Sequence, residues 1–101
     1  MEPICLIINK LKKNGSFIYY HVEDCLNKKI FYLGIDAQKK LVLYFDTDDF
    51  NKQVGEIDLT SNEAPSDIPG ISSNIVLMLS AKILKAIKEN NFPDNLRILL
   101  H

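Results

Sequence analysis

The densest group of chemically competent side chains is the acidic run Asp46-Thr47-Asp48-Asp49, followed a few residues later by Glu56 and Asp58. Hard cations such as Ca²⁺ and Mg²⁺ are held by several carboxylate oxygens, so the run is first tested as a metal loop. An EF-hand beginning at Asp46 would place Asn51 where glycine is required and Ile57 where the bidentate glutamate belongs. That match fails. A looser site joining Asp46 or Asp48 to Glu56 or Asp58 across a turn stays open, although a solvated acidic turn is the commoner occurrence.

His21 lies close in sequence to Glu23, Asp24 and Cys25, residue types from which a nucleophile–base pair can be made. Neither spacing matches a motif with a mechanism, and a partly buried structural histidine is the plainer role. His101 is terminal. The chain carries no Gly-rich phosphate loop, no G-x-S-x-G elbow, no H-E-x-x-H and no paired C-x-x-C. No residue set is therefore assigned to catalysis, and no cofactor is implied.

Aromatic side chains interleaved with lysines suggest a third chemistry. Phe31, Tyr32, Tyr44 and Phe45, with Lys28, Lys29, Lys39 and Lys40, could form a stacking platform for single-stranded nucleic acid. The RRM arrangement does not fit, because no helix follows the first strand and its aromatic-and-glycine signature strand is missing. An isoelectric point near 6.1 also argues against it, since such binding rests on excess positive charge. Core packing and cross-strand pairing explain the same aromatics.

The elements that would position these residues are legible from periodicity. Apolar and β-branched runs predict five strands over 4–11, 16–23, 30–36, 41–46 and 53–60, with Asn14-Gly15 as a tight hairpin turn between the first two. In the fourth strand Leu41, Leu43 and Phe45 share one face and Val42, Tyr44 and Asp46 the other, so both faces are expected to be covered. In the fifth, Val54, Glu56 and Asp58 alternate with Gly55, Ile57 and Leu59, a half-exposed pattern suited to a strand near an edge. A crossing loop over 61–72 leads to a helix over 73–90, capped by Ser72 or Ser73. Ile75, Val76, Leu79, Ile83, Ala86 and Ile87 form its apolar face, and Lys82, Lys85 and Glu89 lie opposite. Leu77 and Met78 predict deeper burial of its first half. Asn90-Asn91 and Pro93 end the helix, and 96–100 suits a short last strand.

The predicted fold class is therefore α+β: a five-stranded antiparallel β-meander (4–60) followed by one C-terminal amphipathic helix and a C-terminal segment (91–101). At 101 residues, with 47% hydrophobic and 25% charged side chains, the chain suits a single domain with its own core. Its apolar stretches fall far short of the ~20 residues that span a bilayer, and Met-Glu-Pro lacks the basic start of a signal peptide. Two cysteines, Cys5 and Cys25, do not make the dense framework of a small secreted domain. With Cys5 on a strand and Cys25 in a turn, no bridge is expected. A cytoplasmic, reducing location follows as the default.

Net charge is −1 but uneven: residues 1–45 carry +3, residues 46–67 carry −6 and residues 68–101 carry +2. The acidic middle is the main electrostatic feature, either a solubilising surface or a steering patch. The functional expectation is a small non-enzymatic protein-binding module. Its most concrete form is an immunity or inhibitor protein that neutralises a basic toxin or nuclease through Asp46, Asp48, Asp49, Glu56 and Asp58. The alternatives are a single-stranded nucleic-acid-binding protein using the aromatic and Lys-bearing sheet face, and a small metal-dependent enzyme. One helix can cover one face of such a sheet, so residues such as Val42 and Tyr44 on the other need a partner. A homodimer, by strand pairing or by sheet-face packing, would supply it.

Overall fold

The first hairpin shows how local chemistry sets the sheet. Strands β1 (Ile4–Asn14) and β2 (Phe17–Asp24) pair antiparallel, with Asn14 opposite Phe17. Gly15 alone of the two loop residues takes a positive φ, 63°, the arrangement that matches strand twist with glycine at the first central position. The turn is thus Gly15-Ser16, one residue later than expected, and β1 runs on through Asn14. Between Lys10 and Lys12 the register slips, leaving Leu11 as an unpaired bulge residue. The bulge sends Lys10 to one face of the sheet and Lys12 to the other.

The next two hairpins share one device. Strand β3 (Lys29–Asp36) follows β2, and β4 (Leu41–Phe45) follows β3. Asp24 Oδ1 accepts the N–H groups of Leu26 and Asn27, and Asp36 Oδ1 accepts those of Gln38 and Lys39, each at 3.1–3.2 Å. Lys28 and Lys40 then take the left-handed conformation, at φ 53° and 56°. Both carboxylates are buried, and the backbone donors they accept offset their desolvation.

The computed structural model describes residues 3–61 and 67–100, so part of the crossing loop, including Glu63, lies outside the described residues. Strand β5 (Gly55–Asp58) is shorter than its alternating pattern predicts. A Cβ at Gly55 would collide with Ile68, whose buried side chain carries the crossing loop over the sheet. Helix α1 (Ser73–Glu89) begins at Ser72, whose Oγ accepts the Ile75 N–H, and ends at Asn90 with φ 50°. Strand β6 (Asn95–Leu100) then pairs antiparallel with β1, giving one six-stranded sheet in the order β5-β4-β3-β2-β1-β6. This is the α+β architecture expected, with the last strand realised. The outermost strands are β5 and β6, while β1 is interior. No helix among the described residues is long and apolar enough to cross a membrane.

Ile75, Val76, Leu79 and Ile83 pack into one core with Leu6, Ile8, Ile18, Tyr20, Val22, Phe31, Leu33, Ile35, Val42, Tyr44, Ile57 and Ile98. Two expectations are corrected here. Val42 and Tyr44 belong to this helix-side core, so the face left without a helix presents Leu41, Leu43 and Phe45 instead. Leu77 is half exposed, because it falls outside the stripe set by Ile75, Val76, Leu79 and Ile83. Alternation defines two faces of a strand without saying which of them meets the helix.

The cysteine expectation is also overturned. Cys5 and Cys25 form a disulfide with a Cα–Cα distance of 5.5 Å. Pairing runs one residue further than the sequence suggests, to Leu6 opposite Asp24, and the Cys25 N–H donates to the Cys5 carbonyl at 3.0 Å. Cys25 is thereby held directly across from Cys5, within the range a disulfide requires.

Candidate protein-binding surface

All five predicted acidic residues are exposed, and the fold sets them along β5 and the connection that leads into it. Glu56 and Asp58 alternate with buried Ile57 along β5, so they point to the face that the helix does not cover. There they lie across from Leu43 and Leu41 of β4. Asp46, Asp48 and Asp49 occupy the β4–β5 connection. Asp58 Oδ1 accepts the Thr60 hydroxyl at 2.6 Å and the Thr60 N–H at 2.9 Å, and these bonds hold its carboxyl below the usual carboxylate range. Asp49 Oδ1 accepts the Asn51 N–H at 3.0 Å and shapes the loop around itself. Among the described residues, no three His, Cys, Asp or Glu side chains converge as metal ligands would.

Phe50, unremarked in the sequence, explains how this loop is placed. Its ring folds back onto the open sheet face, 4.5 Å from the Tyr19 centroid, 5.1 Å from Phe45 and 6.0 Å from Tyr32. Gly34 makes the room: a Cβ there would lie 3.2 Å from both the Phe45 and Tyr19 rings. With Gly34 bare, Tyr19 and Phe45 close over the backbone and Phe50 caps them, which buries Phe45 to 2% exposure. The β1 bulge completes the cluster. It aims the Lys12 ammonium over Tyr19 at 4.9 Å and over Phe50 at 5.2 Å. His21 joins the same surface, edge-on to Tyr32 at 5.3 Å.

Beyond these rings the open face continues through Ile7 to Leu99 and Ile30, both about half exposed, and Arg97 stands on the β6 edge. The surface is therefore aromatic at its centre, acidic along the β5 edge and loop, and apolar toward β6. Other expected groupings come apart. Phe31 and Tyr44 are buried under the helix, leaving only Tyr32 and Phe45 of the proposed stacking set on the open face. Lys28-Lys29 and Lys39-Lys40 lie in hairpins at opposite ends of the sheet. His21 has no thiol beside it to activate, because Cys25 is in the disulfide. The signal for Phe50 was an aromatic residue inside an otherwise polar turn, which needs apolar cover from somewhere.

Comparison with protein-family models, with curated proteins and with solved structures gave no match. The functional reading therefore rests on the chain's own residues.

Proposed function

We propose that this chain is a non-enzymatic protein-binding module, most concretely an inhibitor or immunity protein that neutralises a basic toxin or nuclease. The supporting observation is the Tyr19–Phe45–Phe50–Tyr32 cluster on a sheet face without a helix, rimmed by Asp46, Asp48, Asp49, Glu56 and Asp58. An aromatic centre with a charged, solvated rim is the usual anatomy of a protein interface. In this reading the carboxylates pair with Lys and Arg around the partner's active site, while the rings supply the desolvated centre. The acidic rim also makes the face a poor cradle for phosphates, which favours a protein over single-stranded nucleic acid.

The Cys5–Cys25 bridge bears on where such binding takes place. The expectation of a cytoplasmic location rests partly on unpaired cysteines, whereas Cys5 and Cys25 are bridged and disulfides persist mainly in oxidising compartments. The bridge removes that support.

The test is co-expression with the products of adjacent genes, followed by calorimetry on any basic partner that co-purifies. Joint Asp46→Lys, Asp48→Lys and Asp49→Lys substitution is expected to weaken binding about a hundredfold at low salt, with the gap narrowing as salt rises. Unchanged affinity in the triple variant would sink the acidic-rim mechanism. Tight binding of labelled single-stranded oligonucleotide by the wild type would favour nucleic acid instead. A concentration-dependent dimer that hides Tyr19 and Tyr32 would assign the face to a second copy of this chain.

A further inference from the structure

On the helix side of the sheet, a cavity of about 200 Å³ remains open under the second half of α1. Its walls are apolar: Ile8, Leu33 and Ile35 from the sheet, Leu79 and Ile83 from the helix, and Phe92 from the segment that follows. The gap has a local cause in Ala86, which occupies a sheet-facing position where the preceding turns carry Leu79 and Ile83. A methyl group there cannot reach the sheet.

The far wall is fixed in place. The Tyr20 hydroxyl donates to the Pro93 carbonyl at 2.9 Å, and the Lys10 ammonium donates to the Phe92 carbonyl at 2.7 Å. The Lys10 N–H also donates to the Asp94 carbonyl at 2.8 Å, and its ammonium pairs with the Asp94 carboxylate at 3.1 Å. Residues 92–94 are thus tied to β1 and β2 and do not collapse into the space. Such a gap in a packed interior gives up dispersion contacts unless something fills it. A cavity of ~150 Å³ accepts a benzene ring, so this one has room for a ring or a short acyl chain.

The mouth decides the charge of the occupant. Lys82, Lys85 and Glu89 line it on one flank of α1, where the sequence placed them on the helix's far side. All three are exposed and none makes an ion pair among the described residues, leaving two cations against one carboxylate in the lining. Two of the last four helical carbonyls, those of Ala86 and Ile87, accept the N–H groups of Asn91 and Asn90, which lessens the pull of the helix end against an anion. We propose that this cavity binds a small amphipathic monocarboxylate, its apolar body between Ala86 and the sheet and its carboxylate at Lys82 and Lys85. The site is separate from the acidic and aromatic face, and the proposal does not depend on that surface's partner.

Titration of the ¹⁵N-labelled protein with octanoate, 3-phenylpropionate and octylamine tests it. Saturable amide shifts over 79–89 and 92–96 with the carboxylates are expected, the stronger of the two telling an acyl from an aryl occupant. Octylamine is expected to bind at least about tenfold more weakly. Joint Lys82→Gln and Lys85→Gln substitution should weaken octanoate about tenfold while leaving the apo spectrum folded. Ala86→Leu should abolish the shifts by filling the space. Absence of saturation, equal binding of octylamine, shifts centred on Tyr19 and Phe50, or undiminished binding in either variant would each overturn the proposal.

Discussion

At the scale of single residues, Tyr44 carries a tension that the rest of the core lacks. Its ring is fully buried and stacks beside Phe31 at a centroid distance of 6.1 Å, yet its hydroxyl has no hydrogen-bond partner among the described residues. Tyr20, the other buried tyrosine, spends its hydroxyl on Pro93 and has its pKa pushed up to about 12 by burial and then by the Asp94 charge. Burial raises Tyr44 as well. A raised phenol pKa means the fold favours the neutral form. The resulting stability is complete below the unfolded value of about 10 and is lost as pH rises through the folded values. Removing an orphaned hydroxyl relieves its desolvation without breaking a bond, so Tyr44→Phe is expected to raise stability by about 1 kcal/mol at neutral pH. It should also flatten part of the decline above pH ~10. Urea midpoints at pH 7 and above pH ~10 check both parts. A loss of stability at neutral pH would instead show the hydroxyl bonded to a buried water.

At the scale of elements, the β4–β5 connection combines opposite demands, since it is the most acidic turn in the chain and yet is anchored by an aromatic ring. Phe50→Ala removes contacts with Tyr19, Tyr32 and Phe45 and uncovers Phe45. The expected cost is about 1–2 kcal/mol, from lost ring pairs and partial loss of burial. Amide exchange over 46–53 should accelerate, and the variant should bind the partner poorly although every carboxylate remains. Unchanged exchange in that loop would show that Asp49 and Thr47 shape it without Phe50. Most of the fold was legible: period-2 runs marked the strands, and Ser72 and Asn90 marked the helix ends within a residue. What stayed hidden depends on distant pairing. Cys25 meets Cys5 only because β2 pairs one residue past Glu23, and Lys12 reaches Tyr19 only because Leu11 bulges. The acidic residues could be named in advance, whereas the aromatic centre between them needed Gly34, Phe45 and Phe50 brought together from three segments.

At the scale of the whole molecule, one helix on a six-stranded sheet leaves two unlike faces. The helix side packs aliphatic side chains around the rings of Tyr20, Phe31 and Tyr44, with the cavity below Ala86 among them, and the open side sets rings beside carboxylates. This separation predicts how binding energy divides between the two rates. Carboxylates at an exposed rim act at a distance before contact and weaken with salt, so their effect falls mainly on association. Rings that must lose water at the centre act only after docking, so their effect falls on dissociation. For a basic partner, reversing Asp46, Asp48 and Asp49 is expected to slow association about a hundredfold at low salt, with little change in the dissociation rate. Tyr32→Ala is expected to leave association nearly unchanged and to speed dissociation about tenfold or more. Surface-resonance kinetics at two salt concentrations read both quantities from the same traces. If the charge reversals act on dissociation alone, the carboxylates are buried in the complex instead of steering toward it. The acidic run and the aromatic face would then form one contact surface, with Phe50 at its centre instead of at its boundary.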